Sequence, residues 1–472
     1  MKDHKLIELF KSFDKATSKK FLHFIQSSYP GYSQKIVSLA NFLMSFYPEF
    51  EAEDLTETGV FESIGLNKSF SKHELIRYLS NLLSAVEDFI AIETLLNFQY
   101  AKGAFVADYY YKTQNEGRLS KVLKQNEKKL EHATTVDSTN YFYTYLNEKL
   151  AHNYSRQKWE LNKANLHLDH ALTAINHYYY IEVLQAVISF YHQNKKQPDR
   201  DEIPLLTPML EYLEQNKENL PPLIKLWLLS YKLTQQPESV EIYSALKLNL
   251  LRHLRITPPV DAHNFTIILN NALTQQLSKG RKRYVEELFD IYQIEIQEGW
   301  LSANDIMAHN IFTNIIVISL VLGKIQYASS FLEKYQHQLI PEVRENIVTY
   351  NKSRIAFAQD DYRACLILTQ QIDYFDHSVT LGIKRLQTMC YFELGDLKGL
   401  FNSLNALKMF LYRTEKLRDS LKTRNNHFYK IVSLLSKNAD RVPEEKVKQS
   451  IQEIIDDNPL LPELEWIEKK LK

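Results

Sequence analysis

Apolar side chains recur along most of this chain at the three- and four-residue spacing of one helix face. Near the amino terminus, Ser18 is a predicted N-cap for a helix over Lys19–Ser27. No sustained strand alternation bounded by Asn-Gly or Asp-Gly turns occurs. The pattern therefore predicts an all-α protein. From Ser71 it predicts a long amphipathic helix with these residues on its buried side: Leu75, Leu79, Leu82, Leu83, Val86 and Ile90.

One helical-hairpin pattern occurs three times in succession between His309 and Tyr412. Its turn residues Gly323, Asp360 and Gly395 are 37 and 35 residues apart. This spacing is close to the period of about 34 residues in a tetratricopeptide (TPR) array. We therefore expect an α-α superhelix, or solenoid, of helical hairpins that is TPR-like in its C-terminal half.

Proline positions divide the chain further. The 149 residues between Pro48 and Pro198 contain no proline, and their apolar positions keep a helical period. Two prolines and six charges make residues 194–204 the best candidate for a hinge. The predicted regions are an N-terminal helical unit (1–95), helical hairpins (96–195), a proline-punctuated connector (196–260), TPR-like repeats (261–437) and a C-terminal helical cap (438–472), which we expect to shield the open end of the stack.

Three short elements near the amino terminus form a recognisable set. They are Phe21-x-x-Phe24-Ile25-x-x-Ser28-Tyr29, Tyr47-Pro48-x-Phe50 and Leu79-Ser80-x-Leu82-Leu83-x-x-Val86-Glu87-x-Phe89. This set resembles the opening of a large group of uncharacterised bacterial proteins, in which a short helical segment precedes a diverged TPR-like array. The resemblance implies an architecture and carries no activity.

The repeat register also identifies candidate binding residues. In TPR arrays the residue nine places before the turn glycine often projects into the concave groove. Counting back from Gly280 and from the three turns above gives Asn271, Asn314, Asn351 and Leu386. We expect asparagines to hold the backbone of a partner, arginines to hold a carboxylate, and the remaining residues to supply apolar contact. The predicted groove residues are Asn271, Asn314, Tyr350, Asn351, Arg354, Arg385 and Met389.

Composition narrows the class of protein. Lys+Arg and Asp+Glu both number 57, so no net charge favours nucleic acid or an anionic membrane. The longest apolar run, Ile315–Leu322, has eight residues and is too short to span a bilayer. Cys365 and Cys390 lie in apolar helical surroundings and are interpreted as reduced core residues, with a redox pair as the alternative. We expect a cytoplasmic protein that has no secretory signal.

One histidine-rich segment is the sharpest hint of metal chemistry. His167, His170 and His177 share one side of a predicted helix. His167 and His177 are about 15 Å apart along the axis, too far for one ion, so only His167 and His170 could share a metal. No Gly-rich phosphate loop, G-x-S-x-G elbow or C-x-x-C motif is present. The main prediction is a non-enzymatic protein with no cofactor, no metal and no catalytic residue.

The sequence leaves two functions open. The first is a protein-binding scaffold or adaptor that holds a peptide or protein partner in the concave face. The second is a nucleic-acid-binding regulator that uses basic helices, namely Arg281-Lys282-Arg283 and the last helical stretch, about Asn402–Ser436. The neutral net charge counts against the second function. A metal protein or enzyme centred on His167 and His170 is a weaker alternative, and the sequence does not indicate an oligomeric state.

Overall fold

The structure, a computed structural model, describes residues 4–27, 31–53, 55–65, 69–194, 203, 205–276, 281–303, 306–373, 376–414, 417–436, 445–457 and 463–471. Within these ranges the chain forms 23 α-helices, so the all-α prediction is confirmed. The exceptions are two short 3₁₀ helices and one small antiparallel ladder, β1 (Ser302–Ala303) with β2 (Ile306–Met307). No described helix is long and apolar enough to cross a membrane.

The chain divides into two compact units. Unit 1 comprises Met1–Ala133 and Thr139–Ile175, and unit 2 comprises Thr134–Ser138 and Asn176–Lys472. The helices of unit 1 are α1 (Lys5–Lys11), α2 (Lys15–Gln26), α3 (Gln34–Met44), α4 (Glu57–Ser63), α5 (Lys72–Asn97), α6 (Gln99–Lys112), α7 (Glu116–Glu131), α8 (Ser138–Gln157) and the first part of α9 (Leu161–Asn194).

Unit 2 contains the rest of α9 and all later helices. These are α10 (Leu206–Gln215), α11 (Pro222–Gln235), α12 (Val240–His253), α13 (Pro259–Gln276), α14 (Arg281–Gln297), α15 (His309–Val321), α16 (Ile325–Tyr335), α17 (Pro341–Ala358), α18 (Tyr362–Gln370), α19 (His377–Glu393), α20 (Leu397–Arg413), α21 (Asp419–Ser436), α22 (Glu445–Asp456) and α23 (Leu464–Leu471). Each helix from α13 to α21 packs on the helix that follows it, and α17 also contacts α15 and α19.

Helices α1 to α5 surround an aromatic core in which Phe10, Phe21 and Phe50 are fully buried. The predicted cap at Ser18 is wrong, because α2 begins at Lys15 and Asp14 accepts a hydrogen bond from the Thr17 amide at 2.6 Å. An aspartate carboxylate three residues before an amide satisfies a free donor of the first turn. Ser18 is buried inside the helix.

Helix α5 begins after Ser71, as the pattern predicts, and extends to Asn97. Leu75, Leu79, Leu82 and Val86 are buried. Ile90 is exposed, in contrast to the prediction, because α5 turns Phe89 and not Ile90 towards the aromatic core. The predicted boundary at residue 95 therefore falls inside a helix, and the one at 260 falls inside α13.

The three aligned turns of unit 2 share one hydrogen-bond pattern. Gly323, Asp360 and Gly395 all have positive φ angles, of 71°, 62° and 67°. At each turn the next amide donates to the carbonyl five residues earlier, as Lys324 does to Ser319 at 2.8 Å. This is the Schellman arrangement, which ends a helix and leaves its last carbonyls satisfied. The sequence alignment of the three turns is therefore confirmed at the level of the backbone.

The same turn geometry occurs at three places that the sequence pattern did not reveal. Gln114 ends α6, Trp159 ends α8 and Gly299 ends α14, each with a positive φ angle. The next amide again donates to the carbonyl five residues earlier, at 2.9 to 3.0 Å. Glutamine and tryptophan give no signal for a left-handed backbone, which glycine or asparagine would give. Hairpin turns of one kind thus occur in both units.

One predicted helical stretch is divided in the structure, and two predicted segments lie outside the described residues. The stretch about Asn402–Ser436 is not one helix, since α20 ends at Arg413 and α21 begins at Asp419. The predicted hinge at residues 194–204 lies almost wholly outside the described residues, as does the Gly280 turn. The five predicted regions stay a prediction.

Candidate functional site

Two arginines of unit 2 converge on one carboxylate. Arg354 of α17 donates to Glu463 Oε1 at 3.1 Å through Nη2, and Arg385 of α19 reaches the same oxygen at 3.4 Å. The side chains of both arginines are 11% exposed, and that of Glu463 is 17% exposed. We call these three residues the arginine clamp. The clamp joins α17 and α19 to the residue that directly precedes α23.

The packing around each arginine holds it in place. The guanidinium of Arg354 lies 5.4 Å from the centre of the Tyr350 ring, one helical turn earlier, in a cation–π contact. The Tyr350 hydroxyl in turn fits against Gly382 of α19, where a Cβ atom would lie 2.0 Å from the hydroxyl oxygen. Arg385 donates to Asn425 Oδ1 at 2.8 Å through Nη1. Each arginine therefore has a second contact, besides Glu463, that fixes the orientation of its side chain.

The charge balance in the clamp favours an ionised acid. Burial by itself would raise the pKa of Glu463, but the charges of Arg354 and Arg385 outweigh it and hold that pKa below its ordinary value. Two guanidinium groups face a single carboxylate. The Nε atoms of Arg354 and Arg385 are buried and have no hydrogen-bond partner among the described residues. The clamp therefore offers more donors than Glu463 accepts.

A second polar contact lies one turn further along α23. The Trp466 indole donates to Glu393 Oε1 at 2.5 Å, and the Lys470 ammonium donates to Glu393 Oε2 at 2.7 Å. The Trp466 ring also meets the Phe392 ring edge to face at 5.3 Å between centres. Ile467, between them, is fully buried. Helix α23 is thus anchored to α19 by an aromatic and a basic side chain.

A cleft of about 640 Å³ remains beside α23. It is bordered by α15, α17, α19 and α23, and by the turns that follow the first two of these helices. Its walls are mixed apolar and charged, and include Val317, Leu320, Phe357, Tyr362, Glu465 and Lys469. The space is large enough to admit further side chains next to those of α23.

The predicted groove residues separate into three groups. Asn271 of α13 and Asn314 of α15 are exposed. Tyr350, Asn351 and Met389 are at most 4% exposed and belong to the core, so they do not line a groove as predicted. Arg354 and Arg385 meet a carboxylate of the same chain, that of Glu463, so their predicted contact with a partner's carboxylate stays a prediction.

Tertiary packing explains the buried group. The Asn351 amide donates to Thr313 Oγ1 at 3.1 Å and to the Ile347 carbonyl at 2.9 Å, which joins α17 to α15. An asparagine held by two protein acceptors has no donor left for a partner. Register alone does not distinguish the side of a helix that faces its neighbour from the side that faces a groove.

The sequence analysis missed the residues that complete the site. Glu463, Trp466 and Lys470 lie in the region predicted to cap the open end of the stack. In the structure they contact residues of α17 and α19, 73 to 109 positions earlier in the chain. The available signal was an acidic residue at position 463, directly before an aromatic and a basic residue that share one face of a short helix.

The histidine segment forms a hydrogen-bonded cluster within unit 1. Nδ1 of His167 lies 2.7 Å from Oε2 of the buried Glu148, and Nδ1 of His170 lies 3.7 Å from the same oxygen. In the described part of the chain no group of three or more His, Cys, Asp or Glu residues is arranged to hold a metal ion. The carboxylate thus gives these histidines a structural role that joins α8 to α9.

The other candidate residues are placed as follows. Cys365 and Cys390 are free and fully buried, which confirms that they are core residues, and a hydrogen bond joins their side chains. The choice between reduced residues and a redox pair stays a prediction. In the basic segments, the side chains of Arg281 and Lys282 and the whole of Lys416 lie outside the described part. The nucleic-acid alternative stays a prediction.

Comparison with known proteins identifies no relative of this chain. No protein-family model matches the chain. No curated protein and no solved structure matches it significantly. The interpretation of function therefore depends on the physical chemistry of the arginine clamp and its surroundings.

Proposed function

We propose that this chain is a non-enzymatic, cytoplasmic protein-binding scaffold. Its helices form an α-α superhelix, TPR-like in the C-terminal half, and its concave face holds a segment of a partner protein. The proposal assigns recognition of the partner to the arginine clamp and the adjoining cleft.

The repeated hairpins support the architectural part of the proposal. Helices α15 and α17 each end in the same turn and pack on the helix that follows, and α17 also contacts α15 and α19. Contacts from each helix to the next two are the pattern by which stacked hairpins bury a continuous core. In such a stack the first helix of each hairpin faces inward, which is where Arg354 and Arg385 lie.

The single observation that carries the functional part is the occupation of the clamp by a distant segment of the same chain. Glu463 is 109 residues from Arg354 and 78 from Arg385. Two arginines on adjacent helices therefore already bind a carboxylate presented by a short helical segment. Arginine forks suit carboxylates in orientation as well as charge, so a partner that presents such a group meets a preformed site.

Site-specific photo-crosslinking in an extract of cells that express the protein tests this proposal. A photoreactive phenylalanine analogue replaces Val317, which lines the cleft, or Glu333, which is exposed on α16. We expect the Val317 position to capture one defined protein and the Glu333 position not to capture it. Substitution of both clamp arginines by methionine should abolish the capture while circular dichroism shows intact helices.

The charge-conserving variant R354K/R385K controls for folding, because lysine keeps the positive charge but loses the planar fork. It should retain part of the crosslinked product. Capture of the same proteins from both positions, or crosslinks to nucleic acid alone, would contradict a protein-binding role for the cleft.

A further inference from the structure

Helix α23 binds the rest of unit 2 through side chains. The contacts of Glu463, Trp466 and Lys470 described above all join side chain to side chain. A helix held in this way needs no covalent connection to the helices it touches. A separate peptide with the same side chains would find the same partners.

The anchoring residues of this segment form a simple pattern. Trp466 and Lys470 are four residues apart on α23 and lie on one side of this helix, whereas Glu463 directly precedes the helix with a positive φ angle of 57°. Ile467, next to Trp466, is fully buried. Glu468 is exposed on the opposite side, and Lys469 is exposed beside the cleft. The recognised pattern is acid-x-x-aromatic-aliphatic-x-x-basic.

The clamp is incompletely satisfied by its present occupant. Both guanidinium groups approach the same oxygen of Glu463, and both Nε donors lack a partner among the described residues. Buried donors without acceptors cost free energy. A helix that brings a second acceptor beside the first carboxylate would therefore bind the clamp more tightly than α23 does.

We infer that α23 occupies in cis the docking site of a partner's amphipathic helix. That partner helix carries the pattern acid-x-x-aromatic-aliphatic-x-x-basic, with a second acidic side chain beside the first, and it displaces α23 when it binds. This inference rests on the proposed function and specifies the chemistry of its partner. Because α23 is tethered, it competes at an effective concentration in the millimolar range, and so it sets a threshold for partner binding.

Fluorescence anisotropy with a labelled peptide of residues 463–471, Glu-Leu-Glu-Trp-Ile-Glu-Lys-Lys-Leu, tests the inference on the full chain. The proteins compared are wild type, the variant E463Q/W466A, in which α23 loses two anchors, and the variant R354M/R385M. We expect the peptide to bind E463Q/W466A at least tenfold more tightly than wild type, because the competitor in cis is weakened. The entropy of helix formation in the peptide is common to all the measurements and cancels.

Matched peptides and a milder variant complete the design. Binding to E463Q/W466A should be lost for a peptide with Glu463→Gln and Trp466→Ala, and strengthened for one with an added glutamate before Glu463. R354M/R385M should not bind the peptide. The variant E463Q retains Trp466 and its packing, and should show an intermediate tightening of about threefold if the double variant proves unstable.

Equal affinity for wild type and E463Q/W466A, or no binding to either released variant with its helices intact, would overturn the inference. These outcomes are distinct from a failure of the proposed function. A captured partner together with an inert peptide would leave the scaffold role in place and remove α23 as its stand-in. A bound peptide without a captured partner would support the docking site and contradict the scaffold role in that extract.

Discussion

Helices α13 and α15 differ from α17 and α19 at one equivalent position of the repeat. Asn271 and Asn314 are exposed, whereas Asn351 and Leu386 are buried at 0% and 1% exposure. The buried pair belongs to the helices whose arginines meet Glu463. The comparison teaches that the surroundings of each helix, and not its register in the sequence pattern, decide whether the side chain at this position is buried.

We expect the largest change in stability from removal of the arginine clamp, which joins α17 and α19 to Glu463. R354M/R385M leaves the mostly buried Glu463 carboxylate without a counter-charge, and we expect a loss of about 3–5 kcal/mol in the free energy of unfolding. Urea denaturation followed by circular dichroism measures it. Addition of E463Q should restore a large part of the loss, because the uncompensated charge is then removed. A loss below about 1 kcal/mol would show that the clamp has no role in stability.

The next effect contrasts two mostly buried acids, Asp261 in α13 and Glu463, which meets the arginines of α17 and α19. Burial, with Asp137 and Glu182 nearby, raises the pKa of Asp261 in α13 from 3.8 to about 6. The folded state therefore binds this proton more tightly than the unfolded state, and stability falls as pH rises from about 4 to 6. At about 1.4 kcal/mol per pKa unit the fall is up to about 3 kcal/mol.

Asp261→Asn should remove this dependence and raise stability at pH 7 by about 2–3 kcal/mol. Glu463 has the opposite sign, since its pKa is lowered in the folded state. Its contribution is present above the unfolded value of 4.5 and is lost as pH falls through the folded pKa. Urea midpoints of wild type, Asp261→Asn and Glu463→Gln between pH 3 and 7.5 measure both slopes, and parallel slopes for all three would refute the contrast.

Substitution at the equivalent position itself gives a smaller effect. Asn351→Ala removes two hydrogen bonds in a buried site, and we expect it to cost about 1–2 kcal/mol. Asn271→Ala is the matched exposed control and should change stability by less than about 0.5 kcal/mol. Thermal and urea unfolding of the two variants under one buffer condition measure the difference. Similar costs at the two positions would mean that burial does not distinguish them.

The smallest effect concerns the turns that follow α15 and α19. Gly323 and Gly395 have φ angles of 71° and 67°, and no atom approaches the site of an added Cβ. Alanine at either turn should cost about 1 kcal/mol for the left-handed backbone alone. Gly117→Ala in α7, with ordinary helical φ and equally open space, is the control and should be neutral or slightly stabilising. Unequal costs at Gly323 and Gly395 would show that the covering by α23 reaches the turns.

Local chemistry explains which predictions of the fold succeeded. The helix after Ser71 and the turns at Gly323, Asp360 and Gly395 depend on neighbours in the chain, so period and turn residues were sufficient to identify them. Gln114 and Trp159 adopt the same left-handed turn without any residue preference for it. Residue type could therefore not have located these two turns.

The candidate site shows the same division. Arginines suited to a carboxylate were visible in the sequence, and Arg354 and Arg385 do meet one. Tyr350, Asn351 and Met389 share their helices but face neighbouring helices. A rotation of about 100° per residue decides between the two outcomes, and a diverged repeat does not fix the rotation well enough.

The sequence by itself determined the helical class, the hairpin period and the chemical types available for binding. Those properties follow from local periodicity and residue type. Only the tertiary structure decided that the carboxylate opposite Arg354 and Arg385 comes from Glu463 of the same chain. That pairing spans 109 residues and depends on the stacking of several helices between them, for which the local sequence carries no signal.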